Sequence, residues 1–143
     1  MYRVIAPVFT ALLAISSYVS ATVQTDEIDP VAVSPDKYRV LLENEYVRVV
    51  EYRVNPGEHD NWHTHPAKVS YVVSGGTLKI TTGEGKSFVV EEESASTRWF
   101  GAVGRHFGEN VGDTTVRIVF VEIKGIDTIK EDLNKFVSDG NNR

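Results

Sequence analysis

The sequence predicts an all-β protein, built as a single antiparallel β-sandwich or β-barrel. Two observations predict this class. Short runs rich in Val, Ile, Tyr or Phe follow one another along the chain, and each run ends in Gly, Pro, Asn or another turn residue. A helical period in the hydrophobic residues is almost absent outside the C-terminal tail. Many short strands joined by glycine-rich turns are typical of a sandwich or barrel around one core.

The length and composition fit one globular domain. The chain has 143 residues, enough for one core and too few for two. Its 41% hydrophobic and 24% charged residues exclude disordered and fibrous classes. The net charge of −5 argues against nucleic acid and anionic membranes as partners. The sequence contains no cysteine, which excludes thiolate nucleophiles and cysteine-bound zinc.

Residues 1–21 are predicted to be a secretory signal peptide. A basic residue precedes an uncharged, mostly apolar stretch from Val4 to Val19, and Val19-Ser20-Ala21 resembles a cleavage site with small residues. An uncleaved membrane anchor is the alternative, but the stretch is short for a span of about 20 residues and contains Pro7. Cleavage would produce an exported protein, periplasmic or secreted, without a stable membrane span.

The next segment, residues 22–37, is predicted to be an extended leader because it is polar and contains Pro30 and Pro35. The main domain is predicted over residues 38–124. Its clearest strand signals are Tyr38 to Leu42, Val47 to Val54, Val69 to Val73, Leu78 to Thr82, Ser87 to Val90, and Val116 to Ile123. The acidic run Glu91 to Glu93 is predicted to be a solvated turn.

The tail, residues 125–143, is predicted to contain a short helix. Asp127 is a suitable N-cap at its start. Four apolar side chains fall on one face at helical spacing, namely Ile126, Ile129, Leu133 and Phe136. This face would pack on the outside of the β domain.

Three histidines predict a metal site. His63 and His65 are two residues apart, so on a strand their side chains project from the same face. Neutral imidazole is a usual ligand of transition metals, and a third donor would complete the site. His106 begins a later strand signal, and antiparallel pairing would bring it opposite the pair. His59 is predicted to be a solvated loop histidine, with a proton-shuttle role as the alternative.

Around these histidines the sequence resembles the two metal-binding motifs of the cupin family. Gly57, His63, His65 and Gly76 stand at the spacing of the first motif, while Val69 stands where that motif has Glu. The match in this motif therefore supports a metal site that lacks its acidic ligand.

The second cupin motif is matched at His106 and Asn110, with Asn110 expected to be a turn or supporting residue rather than a ligand. Ala95, Gly101 and Val103 stand in the places of Gly, Pro and Gly. The flanking sequence resembles small single-domain cupins often labelled as β-alanine-degradation type. The resemblance implies an antiparallel jelly-roll barrel, closed here by the short C-terminal helix.

The missing Glu changes the implied chemistry. Three neutral histidines leave the +2 charge of a metal ion uncompensated, which favours an anionic or bidentate ligand or hydroxide. The ligand set resembles the three-histidine iron sites of thiol dioxygenases and acetylacetone dioxygenase. By strand parity, Val69 and Tyr71 face inward with His63 and His65. Tyr71 is therefore the candidate catalytic residue, through a hydroxyl that contacts the ligand.

The resemblance implies a protein that binds one divalent transition metal, Fe(II), Mn, Ni or Zn, through His63, His65 and His106. As an enzyme it would be a metal-dependent, non-haem oxygenase acting on a small chelating or anionic molecule. Two alternatives stay open. One is a non-catalytic module that holds a small ligand or a metal, and the other is a structural cupin with a degenerate site that pairs as a homodimer. The fold alone does not choose, because it hosts many reactions.

Overall fold

The structure is a computed structural model that describes residues 27–125, and it confirms the all-β class. The strands in this range are β1 (Tyr38–Glu43), β2 (Val47–Val54), β3 (His63–His65), β4 (Lys68–Ser74), β5 (Gly76–Thr82), β6 (Ser87–Glu92), β7 (Thr97–Phe100), β8 (Val103–Asn110) and β9 (Val116–Ile123). The predicted signal peptide and C-terminal helix lie outside the described residues. Within residues 27–125, no helix is long and apolar enough to cross a membrane.

The strands form two antiparallel sheets that face each other. The five-stranded sheet has the order β1-β2-β9-β4-β7, and the four-stranded sheet has the order β3-β8-β5-β6. Alternate side chains of β2 and β9 point between the sheets, where Val50 is paired with Phe120. The buried core consists of Tyr38, Val50, Tyr52, Val54, Val72, Leu78, Val116, Ile118 and Phe120. This arrangement is the predicted jelly roll.

The predicted strand positions hold, with three differences. β8 begins at Val103 and not at His106, which is its fourth residue. The short strands β3 and β7 were not predicted as separate strands, since each is too short to show alternation. The acidic run is also not wholly a turn, because Glu91 and Glu92 belong to β6 and pair with Thr77 and Gly76 of β5. Backbone pairing therefore overrides the preference of consecutive acidic residues for a solvated turn.

The leader is not extended throughout, contrary to the prediction. It contains one helical turn, α1 (Pro30–Val33), in which the Asp29 side chain accepts a hydrogen bond from the Val31 backbone N–H at 3.1 Å. Proline at the first helical position suits its fixed φ angle. Just before α1, the Ile28 carbonyl accepts a hydrogen bond from Thr64 N–H at 2.9 Å. The leader thereby covers the outer side of β3.

Two positions of the cupin motifs are explained by backbone geometry. A Cβ atom on Gly76 would lie 2.7 Å from Thr114 Oγ1 and 2.8 Å from Val116 Cγ2, so the close approach of β5 to the start of β9 and the residues before it favours glycine there. Ala95 replaces a motif glycine and has a φ angle of +63°, in the left-handed region that favours glycine. The turn therefore keeps the glycine conformation although the residue has changed.

Candidate metal centre

The structure brings His63, His65 and His106 together, as predicted. His63 and His65 lie on β3, and His106 on the neighbouring β8 is the register partner of His63. One ring nitrogen from each histidine lies within 4.8 Å of the others. The Nε2 atoms of His63 and His65 are 3.1 Å apart. The antiparallel pairing of β3 and β8 therefore brings histidines about forty residues apart in the sequence into one cluster that could hold a metal ion.

The other ring nitrogen of each histidine is held by an oxygen atom. The Nδ1 atoms of His63, His65 and His106 lie 2.7, 2.7 and 2.8 Å from the Asn61 carbonyl, the Glu122 carboxylate and the Gly104 carbonyl, in that order. These oxygens can only accept, so each Nδ1 carries the proton and each Nε2 has a free lone pair. The three lone pairs are the donor set that a transition metal needs.

Burial keeps the three imidazoles neutral. It lowers the pKa of His63 and of His106 to about 4. It also lowers the pKa of His65 well below the usual histidine range, with a smaller contribution from the positive charge of Lys68. Since the neutral form is the one that binds metal, the cluster is ready for ligation at neutral pH.

Glu122 on β9 orients His65 and was missed by the sequence analysis. Its side chain is 1% exposed, and its second carboxylate oxygen accepts a hydrogen bond from Arg48 Nε at 2.7 Å. Arg48 also contacts Asp29 at 3.0 Å. The sequence held a signal for this residue, because Glu122 continues the inward alternation of Ile118 and Phe120. Glu122 supports a ligand histidine from behind.

Tyr38 and Asp60 form a second polar group beside the cluster. The Tyr38 hydroxyl lies 2.9 Å from Asp60 Oδ2 and 3.1 Å from His63 Nε2. Asp60 Oδ1 accepts a hydrogen bond from Gly108 N–H at 2.7 Å. Burial, together with the Asp60 charge, raises the pKa of Tyr38 well above its usual range, so the phenol stays protonated. Tyr38 donates its one proton to Asp60, so it places a hydroxyl oxygen next to the ligand nitrogens.

Val69 and Tyr71 do not face the site, and that prediction is wrong. Val69 is 36% exposed and Tyr71 is 45% exposed, both on the outer face of β4. The alternation does not continue from β3, because the chain crosses to the other sheet between His65 and Lys68. This crossing reverses the parity and turns Lys68 and Ser70 inward. Tyr71 therefore has no contact with the cavity.

A cavity of about 250 Å³ lies between the sheets beside His65 and His106. Its wall is mainly apolar and includes Leu78, Ile80, Phe100 and Phe120. Phe88 lines the cavity and is also 51% exposed, so the cavity opens to solvent near β6. At this opening Arg98 of β7 pairs with Glu92 of β6 at 3.4 Å and links the edges of the two sheets.

The remaining singled-out residues lie outside the cluster. His59 is exposed in its loop, with Nδ1 2.9 Å from the Asp60 carbonyl, in agreement with the predicted solvated histidine. Asn110 is fully buried at the end of β8, where it bonds the turn that follows rather than the histidines. Asn110 is therefore a turn residue, as expected.

The two facing sheets and the inward histidine cluster define the class of protein as a single-domain double-stranded β-helix. A crystal structure of a cupin domain from Bordetella pertussis Tohama I is 30% identical, with a TM-score of 0.57 over 62% of this chain and 92% of that chain. The chain belongs to the cupin family, as a small single-domain cupin.

A second solved structure shows the same fold at low sequence identity. It is an RmlC-like cupin with a double-stranded β-helix from Methanocaldococcus jannaschii, 11% identical, with a TM-score of 0.51 over 65% of this chain and 84% of that chain. No protein-family model and no curated protein matches the sequence.

Proposed function

We propose that this cupin binds one divalent transition metal through His63, His65 and His106. The observation that carries the proposal is the convergence of three ring nitrogens, each left unprotonated because an oxygen holds the opposite nitrogen. The all-nitrogen donor set suits Fe(II), Ni or Zn, and Mn is the other candidate. The residues present therefore fit such an ion.

We further propose that the metal serves an oxygenase acting on a small chelating or anionic molecule. Three neutral imidazoles do not offset a +2 charge, and Glu122 is engaged by Arg48, so an anionic substrate would complete the charge balance. The apolar cavity beside the histidines has room for a small molecule only. The metal would supply the redox chemistry, while the walls of the cavity would hold and orient the substrate.

The proposed site of action is outside the cytoplasm. The proposal is supported by the charge and hydropathy pattern of residues 1–21. An exported protein without cysteine depends on its core for stability, and the buried residues between the two sheets provide one. Mass spectrometry of the mature N-terminus would test cleavage after Ala21.

Wild-type protein purified under metal-replete conditions is expected to contain about one equivalent of transition metal per chain. His63→Ala and His106→Ala each remove one of three donors and are expected to reduce the content below about a tenth of an equivalent. Elemental analysis measures both. Val69→Glu is the matched control, because its carboxylate would lie on the outer face of β4 and leave the metal content unchanged.

Two results would contradict the metal proposal. One is a wild-type metal content below about a tenth of an equivalent. The other is a metal content that stays unchanged when each of the three histidines is replaced, which would mean that the ion binds elsewhere. Increased affinity in Val69→Glu would show that this side chain reaches the site after all.

Iron-loaded wild-type protein is expected to consume O₂ in the presence of a small diketone, thiol or carboxylate from a test panel. An oxygen electrode measures this uptake, and His106→Ala provides the inactive control. A protein that binds metal fully but consumes no O₂ with any member of the panel would instead support the non-catalytic binding module.

A further inference from the structure

Lys68 is a buried lysine whose ammonium group has no ion-pair partner among residues 27–125, and the carboxylates of Glu122, Asp60 and Glu92 act on it only from beyond ion-pair distance. The residue is 5% exposed, and its ammonium group lies 4.0 Å from the centre of the Phe120 ring and 5.8 Å from that of Phe100. Among residues 27–125, no carboxylate oxygen lies within ion-pair distance of Lys68 Nζ, and no acceptor hydrogen-bonds to it. Its polar contacts are therefore limited to the faces of two aromatic rings.

The other inward cations of the barrel are paired. Arg48 contacts Glu122 at 2.7 Å, and Arg98 contacts Glu92 at 3.4 Å. Asp60, which also lines the cavity, is satisfied by the Tyr38 hydroxyl and the Gly108 N–H. Among residues 27–125, Glu122 and Glu92 each have an ion-pair partner and Asp60 has two hydrogen-bond donors, whereas Lys68 has no such partner.

An unpaired ammonium in an apolar wall lowers the stability of the free protein. Desolvation of the charged form is costly unless an anion or hydrogen bonds compensate for it. A methionine of similar length would pack against Phe100 and Phe120 without this cost. The buried charge therefore indicates a role that requires a partner other than the side chains of residues 27–125.

The position of Lys68 indicates what this partner is. Lys68 and Ser70 face the same cavity as His65 and His106. The centre of the Phe120 ring lies 4.0 Å from Lys68 Nζ and 5.3 Å from the centre of the His65 ring. A small molecule in the cavity can therefore contact the ammonium group and the histidine cluster at the same time. The surrounding wall is apolar, which suits a short hydrocarbon or aromatic body.

We propose that Lys68 binds the carboxylate of a small organic acid, whose second polar group points to the three-histidine cluster. The acid would be a monocarboxylate with an apolar body, held between the ammonium group and the aromatic wall. The direction of its second group rests on the metal site proposed above, whereas the carboxylate contact with Lys68 does not.

The test uses benzoate and its neutral isostere benzamide as probes of full-length mature protein, titrated by calorimetry, with metal content measured on each sample. Wild type is expected to bind benzoate about tenfold more tightly than benzamide. Lys68→Met is expected to lose this preference and to raise the Tm by about 4 °C, because an unpaired buried charge is removed. Lys79→Met, at a half-exposed lysine paired with Glu109, makes the same charge change and should keep the preference.

Several outcomes would overturn the proposal. These are an equal affinity of wild type for both probes, no benzoate binding at millimolar concentration, or a benzoate preference that persists in Lys68→Met. A lower Tm of Lys68→Met would assign the lysine a structural role instead. Failure of the metal proposal would be recognised separately, as a low metal content of the wild-type protein. The effect of Lys68→Met on benzoate binding could still be measured in that case.

Discussion

Replacement of Glu122 by alanine is expected to destabilise the metal-free protein by about 2 to 3 kcal/mol, since it removes the more buried of the two carboxylates that pair with Arg48. Arg48, with a side chain 16% exposed, would lose its 2.7 Å contact, and His65 Nδ1 would lose its acceptor. Urea denaturation measures the free energy of unfolding. Glu109→Ala removes a more exposed carboxylate, 3.4 Å from Lys79, and is expected to change stability by less than about 1 kcal/mol.

The same substitution is expected to weaken metal affinity by about 10- to 100-fold, because the imidazole of His65 would no longer be held in its orientation and tautomer. Competition with a chelator measures this effect. Glu122→Gln keeps the size and one carbonyl acceptor, so it should lie between wild type and Glu122→Ala. If Glu122→Ala changed stability but left metal affinity unaltered, the carboxylate would have no part in orienting the ligand.

Replacement of Asn110 by aspartate is expected to destabilise the protein by about 3 kcal/mol or more at neutral pH. The Asn110 amide donates to the carbonyls of Val54 at 3.0 Å and Thr114 at 2.8 Å, and its oxygen accepts from Gly112 N–H at 3.0 Å. Aspartate would replace both donors by an acceptor that faces two carbonyl oxygens. Denaturant unfolding of wild type and variant at pH 7 measures the difference.

The pH dependence of this variant provides a second check. Burial beside two carbonyls would raise the folded-state pKa of the new carboxyl above its unfolded value of about 4. The variant would therefore lose stability relative to wild type as the pH rises above about 4, and recover part of it in acid. Asn44→Asp is the matched control, because the exposed Asn44 uses only its side-chain oxygen, which aspartate retains. An equal effect of both changes would contradict the turn role of Asn110.

The strands and the ligand histidines could be predicted from local patterns. Val47–Val54 and Val116–Ile123 have the predicted bounds, because each is a long apolar or alternating run closed by turn residues. His63 and His65 share a strand, and simple antiparallel pairing is enough to bring His106 opposite them. The match to the cupin motifs added the family, which the Bordetella structure then showed.

The inner lining of the cavity could not be predicted from the same patterns. Side-chain parity holds within one strand, and the chain changes sheets between His65 and Lys68. An alternation counted from His63 therefore pointed Tyr71 inward, whereas Lys68 occupies the cavity wall. Tyr38 and Glu122 reach the cluster from β1 and β9, which belong to the opposite sheet and are distant from the histidines in sequence.

The sequence by itself determined the all-β class, the positions of most strands and the three histidines, because strand propensity, turn residues and two-residue spacing act over short distances. The tertiary structure alone decided which carboxylate holds His65, which hydroxyl stands beside His63 and which lysine faces the cavity. Those relations depend on how two sheets face each other. Packing between sheets joins residues with no fixed separation in sequence, so only the folded chain shows them.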